Sequence, residues 1–440
     1  PRRRRRAKNA MSNNRRRGGG GGYGGRTNNR FGGGSNNNNS NFGGRNNNNS
    51  NRSHNSGYQG SNHAEQPDVR LCKFFLLGGA GQCQSSQKPG GCQFAHALQR
   101  VADVACSGGG GGNSQQHHVR AVCSYKNASG GVYVFTGSKD GHWRMWDAQT
   151  WSLTQDVQME GEIHTLEVDA GHLVCGYEGP TPTIPGVNVG MVRAWNLANP
   201  AAPYDFKMSE AQPFAHAQPV YCCKMKVDAA PEVYTGGQEG GIHCWGFDAA
   251  SGGFALKCKL EGHVRGVTSL ALFASGGNFL LSGSMDRTLR IWSIDDPARK
   301  ECAGMLSKNN DGHAEAITAV CPLTMGDAKY FVSGSMDAHL KVWNSSGGCD
   351  FTQKCNGAIL ALDATQDPAG KAVVVIGLVD GTVELRQPDL GFKLRSTLSN
   401  KFSVGHNGSV RALCCGEAYF CSVGDDSKLM VWQWVAPLPQ

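Results

Sequence analysis

Apolar and polar residues alternate in short runs along most of the chain after residue 116, and these runs recur at a regular spacing. The clearest unit, Gly262–Trp292, reads GHVRGVTSLALFASGGNFLLSGSMDRTLRIW. Its apolar runs have the period of two that is typical of half-buried strands, and Met285-Asp286 lies where a tight turn would join two of them. Gly312–Trp343 repeats the same order. The pattern predicts antiparallel β-structure built from a repeated unit.

Seven units align on one position near the end of each unit, and six of the seven residues there are tryptophan. The positions are Trp146, Trp195, Trp245, Trp292, Trp343, Arg386 and Trp432, with separations of 43 to 51 residues. A period of about 40–50 residues with Gly-His and a terminal Trp is the signature of WD-repeat blades, each of four strands. We therefore predict an all-β fold: a seven-bladed WD-repeat β-propeller over residues 117–436.

Histidine and an acidic residue recur in these units together with the tryptophan. The position six before each anchor holds Asp140, Val189, Glu239, Asp286, Asp337, Asp380 and Asp426. The histidines that enter the units are His117 or His118, His216, His263, His313 and His406. A buried ladder explains these types, because the Asp can accept from the His, which pairs with a strand hydroxyl (Ser282 or Ser284 in the clearest unit) that meets the indole N–H.

Recurrence in unit after unit favours a structural role for these residues over catalysis. We assign this structural role to His263, Asp286, Trp292, His313, Asp337, Trp343, His406, Asp426 and Trp432. The chain also contains no P-loop, no Gly-x-Ser-x-Gly and no His-Glu-x-x-His. We expect no enzymatic activity and no small-molecule substrate.

Two units depart from the pattern but keep their apolar runs, so both are predicted to be blades. Unit two, Gly161–Trp195, lacks the acidic residue and carries an insertion, Tyr177–Gly190. Unit six, Gly357–Arg386, lacks the entering histidine and has Arg386 in place of tryptophan.

The ring also needs a last strand. The residues after Trp432 include prolines, which are poor partners in a β-ladder. We expect Arg100–Cys106 to pair at the edge of blade seven, within a segment 100–116 that otherwise contains a glycine-rich link. This pairing would hold the preceding segment against the propeller.

That preceding segment, residues 67–99, contains a set of metal-ligand types: Cys72, Cys83, Cys92 and His96, spaced C-x10-C-x8-C-x3-H. Three thiolates and one imidazole form a closed tetrahedral set that suits structural zinc. A segment this short needs such a cross-link to fold, because it cannot bury a core of its own. The alternative is a cysteine-containing loop that binds no metal.

The ending Cys92-x-Phe94-x-His96 and the aromatic pair after Cys72 resemble the CCCH zinc finger, although both cysteine gaps are longer than usual in that family. With the repeats, the short Trp432-x-Trp434 end and the stretch YTGGQEGGIHCWGFDAASGGF, the chain resembles plant and green-algal CCCH zinc-finger proteins with WD repeats over residues 70–436. The resemblance implies zinc bound by the four ligands, nucleic-acid binding, and a propeller that docks protein partners.

Candidate contacts to RNA, or to single-stranded nucleic acid more generally, fall in two places. In the finger they are Lys73, Phe74, Phe75 and Phe94, whose rings could stack on unpaired bases. In the tail, residues 1–66, they are Arg15, Arg16, Arg17 and Arg26, set among glycine and asparagine in a segment expected to be disordered. The alternatives are a purely structural finger and a solvated linker.

Charge and cysteine usage add to this picture. The stretch before Glu65 contains 13 Lys and Arg residues and no acidic residue. The whole chain has a net charge of +8, so the remainder has a net charge of −5. A basic tail thus precedes an acidic body.

Fourteen of the 17 cysteines lie in or beside apolar runs, as small hydrophobic residues do in a reduced interior. No apolar run could span a membrane, and we expect a nuclear or cytoplasmic protein.

The leading hypothesis is a zinc-binding, RNA-associated adaptor that docks protein partners on the propeller rim. We expect the partner surface to combine the insertion Tyr177–Gly190 with Lys139, Arg265 and Arg287. One alternative is a substrate receptor for a ubiquitin ligase, which the absence of Asp-x-Arg after the anchor tryptophans disfavours. A scaffold with no RNA role is the other.

Overall fold

The computed structural model describes residues 64–79, 81–87, 91–106, 117–181, 184–228, 231–248, 253–296 and 300–439. These residues lie in one compact unit. They contain 28 strands, arranged as seven four-stranded antiparallel sheets. The prediction of an all-β, seven-bladed propeller is confirmed. Among these residues, none belongs to a helix that is both long and apolar enough to cross a membrane.

The strands of each blade follow one another in sequence from the inner to the outer edge. Blade one is β2 (Val119–Lys126), β3 (Val132–Ser138), β4 (His142–Asp147) and β5 (Leu153–Gln158). Blade two is β6 (Glu162–Asp169), β7 (His172–Pro180), β8 (Asn188–Asn196) and β9 (Asn199–Asp205). Blade three is β10 (Val220–Lys226), β11 (Glu232–Gly237), β12 (Ile242–Asp248) and β13 (Gly253–Leu260). Blade four is β14 (Val267–Ala274), β15 (Asn278–Ser284), β16 (Leu289–Ser293) and β17 (Glu301–Leu306).

The remaining blades have the same order. Blade five is β18 (Ile317–Met325), β19 (Ala328–Ser335), β20 (His339–Asn344) and β21 (Cys349–Lys354). Blade six is β22 (Ile359–Gln366), β23 (Ala372–Leu378), β24 (Val383–Gln387) and β25 (Lys393–Leu398). Blade seven is β26 (Val410–Cys415), β27 (Tyr419–Gly424), β28 (Lys428–Trp434) and, from before the repeats, β1 (Leu98–Ala105). One short helix, α1 (Lys73–Gly78), and 3-10 turns at Gln84–Gln87, Lys308–Asn310, Pro388–Leu390 and Asn400–Phe402 complete the elements described.

Blade seven closes the ring with β1, as expected from its sequence. The strand begins at Leu98, two residues earlier than predicted, and pairs antiparallel with β28 from Leu98↔Trp434 to Ala105↔Lys428. This pairing supplies the outer strand that the residues after Trp434 do not provide. It also places the residue two before the strand, His96, beside the propeller.

The blades pack through the middle strands, which are buried on both faces, and a glycine there lets neighbouring blades approach closely. All six residues of β11 and all five of β24 are buried, whereas the outer strand β21 alternates between exposed and half-buried positions. In β19, a Cβ at Gly334 would lie 2.5 Å from Ile359 Cγ2 of blade six. The inter-blade core therefore requires the absence of a side chain at this position.

Each inner strand carries a register shift that leaves one residue unpaired near one end. Such a bulge turns the extra side chain away from the ladder. The seven unpaired residues line a single cavity at the centre of the ring. They are Arg120, His164, Tyr221, Thr268, Thr318, Leu360 and Arg411.

The insertion in unit two, Tyr177–Gly190, is mostly strand. Strands β7 and β8 stay paired as far as Pro180↔Asn188, and Tyr177 is fully buried. Beyond this pairing, Ile184 and Val187 are exposed. Blade two is therefore longer than its neighbours at this end.

Candidate functional site

The blade histidines and aspartates form the ladder that their recurrence predicts. In blade four, His263 Nδ1 lies 2.9 Å from Asp286 Oδ2 and its Nε2 lies 2.7 Å from Ser282 Oγ, which accepts from Trp292 Nε1 at 2.8 Å. Because the carboxylate only accepts, Nδ1 carries the proton, and Nε2 of the neutral ring accepts from the serine hydroxyl. Ser282, not Ser284, is thus the bridging hydroxyl.

The same ladder recurs in blades five and seven, where Ser333 and Ser422 bridge. His313 Nε2 lies 2.8 Å from Ser333 Oγ, and His406 Nε2 lies 2.9 Å from Ser422 Oγ. The aspartates Asp337 and Asp426 contact the Nδ1 atoms of these histidines. The indole N–H groups of Trp343 and Trp432 donate to the two serines. Since these side chains satisfy one another inside the blade, they act as structure.

Blades one and three vary the ladder. In blade three, Glu239 replaces the aspartate beside His216, and Thr235 is the bridging hydroxyl. In blade one, His117, not His118, meets Asp140, at 3.0 Å. His118 instead contacts Asp425 of blade seven, at 3.2 Å.

The four predicted metal ligands converge on one point. The ligand atoms of Cys72, Cys83, Cys92 and His96 all lie within 4.8 Å of one another. Cys72 Sγ and Cys83 Sγ are 3.5 Å apart, and His96 Nε2 is buried without a hydrogen-bond partner among the described residues. A buried imidazole nitrogen facing three thiols is what a tetrahedral zinc ion would satisfy, so the donor set fits zinc.

Local backbone contacts bring these ligands together across 24 residues of sequence. Cys72 lies directly before α1, and its N–H donates to Ala95 O, while Ala95 N–H donates to Arg70 O. The Phe75 ring stacks on the His96 ring, with centroids 4.2 Å apart and an angle of 8° between the planes. Burial is the largest cause that raises the pKa of the Cys72 thiol, to about 11, with smaller contributions from Cys83 and Cys92.

The finger is seated on the propeller and shares its core. Leu76 of α1 and Val69 belong to the same buried cluster as residues of blades six and seven, including Trp434. Asp68 and Val69 N–H donate to Leu394 and Arg395 O, so the chain before the finger runs along the outer strand of blade six.

Arg386, which occupies the tryptophan position of blade six, is fully buried and anchors this contact. Its Nη1 lies 2.8 Å from Glu65 Oε2, and its Nη2 lies 2.8 Å from Glu384 Oε2. Nη1 also donates to Phe392 O at 3.0 Å. Glu65 accepts further from Leu394 N and Gln353 Nε2. A residue that the sequence placed in the tail is therefore part of the compact unit.

Of the three phenylalanines of the finger, two are exposed and one is buried. Phe74 is 63% exposed and Phe94 is 38% exposed, and Lys73 is exposed beside them. Phe75 lies on a different face of α1, where it is buried with its ring stacked on that of His96, so it is not free to stack on a base as expected. Arg15, Arg16, Arg17 and Arg26 lie outside the described residues.

Comparisons with known proteins agree with this architecture. The family described as WD domain, G-beta repeat matches residues 112–147, 254–293 and 304–344. The seven-bladed propeller thus contains WD40 repeats. The WD40 propeller domain of Doa1, a solved structure, superposes with a TM-score of 0.54 at 18% identity, covering 76% of this chain and 96% of that one.

Two relatives share sequence with this WD40 propeller. Zinc finger CCCH domain-containing protein 17 of Oryza sativa subsp. japonica is 28% identical over 370 residues, covering 84% of this chain and 73% of that protein. The resemblance to CCCH proteins with WD repeats is thus confirmed. Pre-mRNA-processing factor 17 of Homo sapiens is 27% identical over 181 residues, which is 40% of this chain and 29% of that protein.

Proposed function

We propose that this protein is a zinc-binding, RNA-associated adaptor, in which the finger contacts unpaired bases and the propeller docks a protein partner. The observation that carries the proposal is the four-ligand cluster fixed against blades six and seven, with Phe74 and Phe94 exposed beside it. Similarity to a CCCH zinc-finger protein and to a pre-mRNA-processing factor supports it.

Zinc would hold the three thiolates and His96 together and supply folding free energy to a segment with almost no core of its own. Metal analysis of the purified protein should give one zinc per chain. Cys92→Ser should lower this value towards zero, whereas Cys302→Ser, at an exposed cysteine of blade four, should leave it unchanged. Equal zinc content in both variants would contradict the assignment.

Base stacking on the finger should depend on the exposed ring of Phe74. Because stacking contributes about 1–3 kcal/mol per base, Phe74→Ala should weaken binding of a single-stranded oligoribonucleotide by roughly 5- to 150-fold. Phe402→Ala, at a ring 58% exposed in the loop that enters blade seven, is the matched control. Deleting residues 1–63 separately would measure the contribution of the tail arginines.

If Phe74→Ala binds the oligoribonucleotide as wild type does and only the tail deletion weakens binding, the RNA contact belongs to the tail. If crosslinking in cells recovers no RNA with either protein, the scaffold without an RNA role is correct. The two results therefore separate the finger, the tail and the scaffold hypotheses.

The protein partner is proposed to bind the face that carries the ladder turns. Exposed apolar side chains cluster there on blades four to six, next to the exposed Arg265 and Arg287. They are Val264, Met285, Met336 and Val379. This extends the predicted surface, of which Lys139 and the 181–187 tip of blade two form the other side.

A double substitution tests this face. Met285→Glu with Met336→Glu places two charges on the apolar patch and should remove partners recovered by quantitative affinity purification. Val227→Glu, at an equally exposed valine in the turn between the first two strands of blade three, lies at the opposite end of the blades and should not. Partners retained by the double variant, and by a variant with a short turn replacing 181–187, would contradict the assignment.

A further inference from the structure

Two cysteines face each other on the outer strands of blade three. Cys244 of β12 and Cys258 of β13 are direct partners in the antiparallel register. Direct partners have Cα atoms about 4.5–5.5 Å apart and side chains on the same face. A disulfide spans Cα atoms about 4.4–6.8 Å apart, so register partners lie within its reach. This pair lies directly beside the register shift between Cys244 and Trp245.

As register partners, the two cysteines place their side chains on the same face of the sheet. Cys244 is fully buried in the core between blades three and four, and Cys258 packs on the same core while remaining partly accessible. One thiol is thus reachable from solvent and the other lies behind it. This is the arrangement of an attacking and a resolving cysteine.

Charged groups around the pair favour the thiolate of Cys258. Lys300, whose side chain is 1% exposed, directly precedes β17, the outer strand of blade four, and donates to both oxygens of Glu232, at 2.9 and 2.8 Å, and to Tyr234 Oη at 2.9 Å. Lys257 lies on the same side, 3.9 Å from Glu232. The hydrogen bond from Cys244, together with the two lysines, lowers the pKa of Cys258 against the opposing effects of burial and Glu232.

A second facing pair in blade seven lacks these features. Cys414 and Cys421 are also register partners, but Cys414 Sγ donates to Ser124 Oγ at 3.2 Å instead of to its partner. Burial raises the pKa of both thiols. The two pairs therefore share register pairing and burial, with one buried and one half-buried cysteine in each, and differ in thiol contacts and in local charge.

We propose that Cys244 and Cys258 are a redox-active pair that hydroperoxides convert to a reversible disulfide. The Cys258 thiolate attacks one peroxide oxygen, the O–O bond breaks, and the leaving alkoxide takes a proton to become an alcohol, or water from hydrogen peroxide. The sulfur of Cys244 then attacks the resulting Cys258 sulfenic acid, and the departing hydroxide takes the thiol proton as water. The two sulfurs lose two electrons, which the peroxide accepts.

The test uses the full-length, zinc-loaded protein and hydrogen peroxide at stoichiometric amounts. After blocking of free thiols, peptide mass spectrometry should find the Cys244–Cys258 disulfide, which dithiothreitol reverses, before any Cys414–Cys421 disulfide. Cys258→Ser should abolish the cross-link. Zinc released by the peroxide is measured in parallel, so that oxidation of the finger is counted separately.

Two further measurements test the role of the charges. Alkylation of Cys258 by iodoacetamide should titrate with a midpoint below the value of about 8.5 for a free cysteine. Lys257→Met, at a side chain 36% exposed, should slow peroxide oxidation of Cys258 several-fold without unfolding the blade. An ordinary alkylation midpoint, or both cysteines still reduced when the exposed Cys302 is already oxidised, would overturn the proposal.

Discussion

The contact between Glu65 and blade six should hold the finger in place, and its strength can be worked out from its surroundings. Glu384 and Arg386 are two residues apart on β24, so their side chains point to the same side, and both are fully buried. Glu384 Oε1 also accepts from Asn356 N at 3.1 Å. Glu65, in contrast, is 32% exposed and approaches the guanidinium from outside the blade.

Glu65→Gln and Glu384→Gln each remove one negative charge beside the Arg386 guanidinium. The first change is at a part-exposed position and the second at a fully buried one. Glu384→Gln should lower the free energy of unfolding by about 3–5 kcal/mol, as expected when one partner of a buried ion pair is removed. Glu65→Gln should lower it by about 1.5–3 kcal/mol, since a charged hydrogen bond is lost while the remaining pair stays neutral. Urea denaturation of the zinc-loaded protein, followed by tryptophan fluorescence, measures both.

The double variant Glu384→Met with Arg386→Met should be more stable than Glu384→Met alone, because the single variant leaves the fully buried Arg386 with only the part-exposed Glu65 as countercharge. Trypsin should cleave Glu65→Gln faster than wild type after the exposed Arg70, since the chain before the finger is released. A Glu65→Gln protein within about 0.5 kcal/mol of wild type, as typical of a surface change, would show that the contact does not hold the finger.

Three more results are expected. Ser333→Ala should cost about 2–4 kcal/mol in the same urea assay, because it leaves the buried histidine and tryptophan of its ladder unpaired, whereas Ser346→Ala at an exposed turn should cost almost nothing. Burial has the largest single effect on Asp337 and raises its pKa, but the hydrogen bond and charge of His313, together with backbone N–H donors, hold this pKa below its usual range. The stability this provides is complete above the unfolded value of about 4 and is lost as the pH falls further, so Asp337→Asn should lose less stability than wild type below that pH; equal losses would contradict this sign. Cleavage of the glycine link at 108–112 should leave the finger bound to the propeller on a sizing column, and its release under native conditions would contradict the pairing of β1 with β28.

Periodic features of the chain could be predicted from the sequence because each copy supports the others. The ladder residues repeat with the blade, so His263, Asp286 and Trp292 identify one another in unit after unit. The closing strand could be predicted as well, since a ring of four-stranded blades lacks one strand and Arg100–Cys106 has a suitable apolar pattern. The convergence of Cys72, Cys83, Cys92 and His96 could be predicted because these residue types together suit a metal site.

Contacts that occur once could not be predicted in this way. Glu65 and Arg386 are 321 residues apart, and no repeat relates them. One signal was present: an arginine at a core position needs a buried countercharge, and Glu65 is the first acidic residue of the chain. Phe74 and Phe75 illustrate the same limit, because adjacent residues lie on different faces of α1 and only the packing of the helix shows which one is free.

The finger and the ladder face lie at opposite ends of blade seven, which separates the two proposed binding surfaces. β28 begins directly after the ladder turn at Asp426 and ends at Trp434, and His96 precedes the strand that pairs with this end. Seven residues of strand span about 23 Å. A single-stranded RNA on the finger and a protein on the ladder face therefore do not compete for the same atoms. Met285→Glu with Met336→Glu should leave the affinity for a single-stranded oligoribonucleotide unchanged, and Phe74→Ala should leave the protein partner bound. Loss of both ligands in either variant would mean that the two surfaces act as one site.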